Sequence, residues 1–140
     1  LPTELPDRLP ATADIALHRL TPDHGPVEWA VPCVAGRARG LAPGTFGWLV
    51  ATGGPGTPIH FIASNRSGKP SASLPVQDHR ISHESGFLSE NLVIYSPDGR
   101  SRSLFLFDRP SARLVARLAE WLGKAGAQAE KAEPATAGAV

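Results

Sequence analysis

The sequence predicts a mainly β fold with one C-terminal α-helix, a seven-stranded sandwich or barrel capped by that helix. Three observations lead there. Gly and Pro each occur 14 times in 140 residues, a density that suits short strands broken by turns better than a long helical bundle. Short apolar runs recur between these breakers from about residue 29 to residue 107. Beyond them the apolar spacing changes to threes and fours, the period of an amphipathic helix.

Taken in chain order, residues 1–11 carry three prolines and little periodicity and are expected to form an extended arm. Residues 15–20 are open between a strand and a helical turn, with Pro22 ending the element, and the segment 12–24 has no assigned role. Residues 29–39 (WAVPCVAGRAR) are extended in character, Pro32 marking an edge or a bulge. Residues 46–51 alternate Phe46, Trp48 and Val50 on one face, and 59–63 resume the β pattern after a Gly/Pro loop, so the two read as a hairpin. Weaker strands are expected near 72–76 and 79–83. The clearest hairpin joins 91–96 to 102–107 through Pro97-Asp98-Gly99, where Pro at the second position and Gly at the fourth suit a type I turn.

Asp108 or Ser111 can cap the start of the terminal helix, with Pro110 tolerated in its first turn. Leu114, Leu118, Trp121, Leu122 and Ala125 form its apolar face, while Arg113, Arg117, Glu120 and Lys124 lie opposite. From 128 to 140 the chain is small, polar and interrupted by Pro134, so a disordered tail is expected and the folded unit spans 12–127.

Composition narrows the function. Net charge is +1, which gives no bulk drive toward nucleic acid. The lone Cys33 excludes an internal disulfide and favours a reducing, intracellular compartment. No stretch approaches the roughly 20 apolar residues of a membrane helix. The chain starts at Leu1 and contains no Met, as expected of a processed protein or an excised domain.

The order of seven strands and one helix resembles the pleckstrin-homology-like fold and its GRAM-type relatives. The resemblance runs over residues 29–127 and is carried by FLFDRPSARLVARLAEWLGKAGA, with its Trp121-Leu122 pair, and by GWLVAT, IHFIAS and SLPVQDHRI. It implies a bent sheet with a helix plugging one open end, and loops after strands 1, 3 and 6 gathered where anionic headgroups or peptides dock. Carried over, that layout places Arg37 and Arg39 at the first loop, Arg66 and Lys69 in the second, and Arg100 and Arg102 beside the third. Asp78, Glu84 and Glu90 are then left to other connections. Lipid-binding members carry more Lys and Arg around the first two strands than the two arginines present here.

Other chemistry is thin. His79 and His83 stand at i, i+4 within DHRISHE, but in a strand that spacing separates them by about 13 Å, too far to share a metal ion. Ser82, His83 and Glu84 are triad residue types whose side chains point apart in a strand. There is no nucleophile elbow and no P-loop. Cys33 reads as a small buried side chain. Asn65-Arg66-Ser67 is a glycosylation sequon, relevant only in a secreted eukaryotic protein. Trp29 and Trp48 are expected to pack together if their strands are neighbours, and Trp121 to lock the helix to the sheet.

These observations together predict a non-catalytic binding or adaptor module without cofactor or metal. The leading expectation is a protein partner, because the basic residues are few and dispersed in sequence. Peripheral binding of anionic membrane headgroups through the basic loop end is the alternative. A small enzyme or enzyme subunit using residues 79–84, or a structural domain of a larger assembly, are the remaining readings.

Overall fold

A computed structural model describes residues 9–53, 57–64 and 71–132, with side chains of the final helix as far as Gly123. Helix α1 (Ala11–Leu20) comes first, followed by β1 (Trp29–Arg37), β2 (Thr45–Ala51), β3 (Ile59–Ala63) and β4 (Ala72–Leu74). Then come β5 (Arg80–Ser85), β6 (Glu90–Tyr95), β7 (Arg102–Phe107), a 3-10 turn (Arg109–Ser111) and helix α2 (Ala112–Ala132). The strands form one seven-stranded sheet in the order β4-β3-β2-β1-β7-β6-β5, antiparallel throughout. The fold class is therefore mainly β with a C-terminal helix.

Two meanders, β1 to β4 and β5 to β7, share this sheet and are joined by the β1–β7 ladder. The ladder is short, pairing Val34 with Leu106, Ala35 with Phe105 and Arg37 with Leu104, with a register shift between Ala35 and Arg37. Gly36 is the extra residue of that bulge, and a bulge bends its strand and increases its twist.

The sheet is strongly curled. Phe61 on β3 and Phe105 on β7 stack with ring centroids 5.7 Å apart, although β2 and β1 lie between their strands. In a flat sheet three strand spacings would separate them by about 14 Å. The rings meet because the inward residues beneath them are small. Along β1 the buried face steps down from Trp29 through Val31 and Cys33 to Ala35, and Gly47 stands opposite Cys33 on β2. A Cβ on Gly47 would lie 2.2 Å from the Ile62 carbonyl oxygen and 2.7 Å from Phe61 Cζ, so no side chain fits there.

The curled inner face holds the main core, closed on one side by Val115, Leu118, Trp121 and Leu122 of α2. Trp121 packs edge-on against Trp29, with centroids 5.4 Å apart. Trp29 is thus paired with the helix and not with Trp48, because Trp48 points to the other face of the sheet, where its edge-on neighbour is Phe46. On that outer face α1 buries Ala13 and Leu17 against Ala30, Val50 and Ile62. The segment left open between strand and helix is therefore a helix with its own small core. No helix among the described residues is long and apolar enough to cross a membrane.

Several expected boundaries shift for local reasons. β1 stops at Arg37 because Ala38 and Leu41 form a bridge of their own across a tight turn, with Gly40 at φ +81°. The bulge falls at Gly36, while Pro32 sits where β1 has no β7 partner, so its missing N–H breaks no ladder on that side. The β6–β7 turn is as expected: Gly99 N–H donates to Ser96 O at 2.9 Å. Asp108 precedes the 3-10 turn without capping its backbone; its carboxylate instead accepts the Ser111 hydroxyl. Helix α2 continues to Ala132, beyond the expected end at 127. Of the expected arm 1–11, residues 1–8 lie outside the described residues and Ala11 opens α1; of the expected tail 128–140, residues 128–132 belong to α2 and 133–140 lie outside the described residues, as do the side chains of Lys124 and Ala125.

The crowding at Gly47 predicts that Gly47→Ala lowers the unfolding free energy by about 1–3 kcal/mol, the usual cost of overpacking. Gly123, on α2 with open space around its Cα, is the control. Gly123→Ala should raise stability by about 0.5–1 kcal/mol through helix propensity. Urea unfolding of both variants checks the pair; an unchanged midpoint for Gly47→Ala would sink the packing account.

Candidate anion-binding cleft

The strand registers decide which loops meet. Arg37 at the end of β1 lies opposite Leu104 near the start of β7, and Arg102 opens β7. The β1–β2 and β6–β7 connections therefore emerge at the same end of the sheet. β3 leaves the sheet there too, Ala63 being opposite Gly47 at the start of β2. Gly40 and Gly44, both with positive φ, turn the β1–β2 loop back, and Ala38 and Leu41 bury themselves in the core beneath it.

On this floor lies an open cleft of about 410 Å³ lined by Arg37, Ala38, Arg39, Ser101, Arg102 and Ser103. Three of the six basic residues singled out in the sequence thus share one concavity. The arginines are exposed and the floor residue Ala38 is buried. The arginine ion pairs among the described residues engage Arg109 and Arg117; no carboxylate there pairs with Arg37, Arg39 or Arg102. Arg100 stays in the turn, its main-chain N–H donating to Asp98 Oδ1 at 2.9 Å. Arg66 and Lys69 lie outside the described residues.

Asp98 is the acid nearest in sequence to this end. Its carboxylate accepts the Ser96 hydroxyl at 2.6 Å as well as the Arg100 N–H. Those bonds hold its pKa below the ordinary 3.8, the Ser96 hydroxyl being the larger cause. The Asp98 charge is spent on folding its own turn. The cleft can accordingly offer planar guanidinium forks and two serine hydroxyls to an anion, the donor set suited to a phosphate or carboxylate group. The serines were not singled out in the sequence. Their alternation with Arg102 along Ser101-Arg102-Ser103 was the available signal, but only the register shows which neighbours they have.

At the opposite end Glu90 is buried at the start of β6 and Glu84 is exposed on β5, neither of them in a connection as expected. Glu90 Oε1 accepts from His83 Nε2 at 2.9 Å and from Ser85 Oγ at 2.8 Å, and Arg109 Nε lies 3.7 Å from Oε2. Arg109 also donates to the carbonyls of Gly86 and Phe87. This node ties the β5–β6 hairpin to the turn that starts α2. In a nucleophilic relay the histidine bridges serine and acid; here the acid bridges serine and histidine, which is the wiring of a structural ion pair. His79 is elsewhere, its Nδ1 2.8 Å from the Gln77 carbonyl, so the 79–84 stretch does not assemble both histidines. Tyr95 OH donates to Glu84 at 2.7 Å. Cys33 is buried, and burial pushes its thiol far above the ordinary value, away from thiolate chemistry.

No protein-family model matches the chain, and no curated protein and no solved structure matches it either.

Hydrogen bonds from His83 and then Ser85 hold Glu90 below its ordinary pKa of 4.5 against the opposing effect of burial. A carboxylate with a depressed folded-state pKa stabilises the fold above its unfolded value and loses that contribution as pH falls. Stability should therefore decline on acidification below about pH 4.5, and Glu90→Gln should flatten that limb. Thermal midpoints measured from about pH 3 to pH 6 check this; parallel curves for the two proteins would count against the node.

Proposed function

We propose that this chain is a non-catalytic binding module of pleckstrin-homology-like type that holds an anionic, phosphate-bearing group at Arg37, Arg39 and Arg102. The observation that carries the reading is the convergence of these three arginines on one open cleft. Arg37 ends β1 and Arg39 stands in the turn after it, whereas Arg102 opens β7, far along the chain, and no acid neutralises them among the described residues. The strand order, the curl of the sheet and the helix across it support the comparison with that fold class. The anionic reading moves ahead of the protein-partner reading because the basic residues, dispersed in sequence, are grouped in space. The cleft is shallow and exposed, so its ligand is the end of something larger, and a headgroup on a membrane surface fits that access. Association through exposed arginines weakens as salt screens it.

The test is co-sedimentation with neutral phosphatidylcholine vesicles and with vesicles containing a phosphoinositide. Wild-type protein should bind only the anionic vesicles, less as salt rises, and Arg37→Glu/Arg102→Glu should abolish binding while leaving the unfolding midpoint unchanged. Equal binding by the double variant would end the proposal.

A protein partner has its own supporting observation. Phe87 and Leu88, at the β5–β6 hairpin tip, are 92% and 81% exposed, and Arg109 holds that tip through the Gly86 and Phe87 carbonyls. A fixed apolar tip suits a contact. On this reading Phe87→Ser/Leu88→Ser loses a stoichiometric partner in a lysate pull-down, whereas Arg37→Glu/Arg102→Glu retains it; the reverse pattern would reject the tip as the contact.

A further inference from the structure

Asp14, His18 and His24 bring three metal-type ligand atoms together at the C-terminal end of α1, away from the arginine cleft. Asp14 and His18 are one helical turn apart on α1. His24 arrives by a tight turn: Thr21 ends the helix with its N–H and its hydroxyl both on the Leu17 carbonyl. His24 N–H then donates to Thr21 O at 3.1 Å, which folds the ring back over the helix. The rings of His18 and His24 lie edge to face with centroids 4.2 Å apart.

The distances have the dimensions of a coordination shell. His24 Nε2 is 3.1 Å from His18 Nδ1 and 3.5 Å from Asp14 Oδ1, and His18 Nδ1 is 3.7 Å from Asp14 Oδ2. Ligands bound at about 2.0–2.1 Å in a tetrahedron are separated by about 3.3 Å; the two imidazole nitrogens match that edge, and each histidine faces a different Asp14 oxygen, so a rotation of the carboxylate would bring one oxygen to both.

The hydrogen bonding points the same way. His24 Nδ1 lies 2.5 Å from the Gly25 carbonyl, which can only accept, so this nitrogen carries a proton. In the neutral ring Nε2 is then a lone pair aimed at a carboxylate and a second imidazole. A metal-bound histidine commonly donates its other N–H to a backbone carbonyl in this manner, which fixes its tautomer. The His24 side chain is only 9% exposed, so the ring is held in place, while Asp14 and His18 at 46% and 55% leave an entry path and an open coordination position. In the metal-free arrangement His18 Nδ1 also lies 3.0 Å from the Asp14 main-chain carbonyl. Coordination through Nδ1 would require His18 to carry its proton on Nε2 instead, in a side chain that is more than half exposed.

We infer that Asp14, His18 and His24 form a binding site for one divalent transition-metal ion of the zinc type, with solvent or an external ligand completing the shell. Two imidazoles and a carboxylate favour such ions over calcium or magnesium, which prefer oxygen ligands. By joining α1 to the segment that follows it, the ion would fasten that helix and its small core to the outer face of the sheet. The sequence carried the signal as Asp14-x3-His18-x5-His24, but only the turn at 21–24 brings the third ligand to the other two.

The experiment uses the untagged full chain, stripped with chelator and then titrated with Zn(II) and, separately, Co(II). One equivalent of Zn(II) should remain after dialysis, and Co(II) should give the visible bands of a low-coordinate nitrogen and oxygen site. Zn(II) should also raise the thermal midpoint, since it binds the folded state. His18→Ala/His24→Ala should lose all three responses while keeping the wild-type circular dichroism spectrum, and His79→Ala/His83→Ala should keep them. Absence of retained zinc in the wild type, or its retention by His18→Ala/His24→Ala, overturns the assignment.

Discussion

Curling a seven-stranded antiparallel sheet until its own face becomes a core requires that the strands at the bend carry almost nothing inward. Cys33, Ala35 and Gly47 meet that requirement, and Phe61 and Phe105 reach across them to stack. The aromatic pair is both the result of the curl and the interaction that holds it. Larger residues below the rings would force the sheet open, and smaller residues in place of the rings would leave a void between its halves. Everything else follows from this closure. Trp29, at the wide end of the same strand, needs a cover, and α2 supplies it through Trp121.

The two ends of the curled sheet differ in electrostatic character for the same reason. At the wide end the space admits a buried carboxylate, and Glu90 is satisfied there by His83, Ser85 and Arg109. At the narrow end the core is closed by Ala38 and Leu41, which leaves the polar residues around them facing solvent. Arg37, Arg39 and Arg102 project from this rim. The one acid of the adjoining turn, Asp98, is engaged by Ser96 and Arg100. A domain of net charge +1 is in this way locally polarised, which bulk composition could not reveal.

What was legible in the sequence was whatever depends on neighbours along the chain. The β6–β7 hairpin was visible because Pro97 and Gly99 specify their turn, and α2 because Leu114, Leu118, Trp121 and Leu122 repeat at helical spacing. Helix α1 was ambiguous: at ten residues with an apolar stripe of only Ala13, Leu17 and their flanks, it takes its stability from the sheet face it covers. The alternation of Phe46, Trp48 and Val50 was legible, but not that this face is the outer one, since Gly47 looks like a break in a strand until the ring of Phe61 is seen against it. The basic residues could be named one by one. Their grouping depends on the bulge at Gly36 and the β1–β7 register, and neither leaves a local mark in the sequence.

The brief β1–β7 seam has a consequence for how the molecule assembles. Each meander is built from hairpins between consecutive strands, contacts that close short loops. The seam joins residues 34–37 to residues 104–106, a closure across about half the chain whose entropic cost exceeds that of any hairpin loop. Arg37 and Arg39 belong to the first meander and Arg102 to the second. The cleft is therefore absent from either half alone and appears only when the halves join. An anion seated in it would act as a latch on that junction, slowing the separation of the two meanders without touching any contact within them.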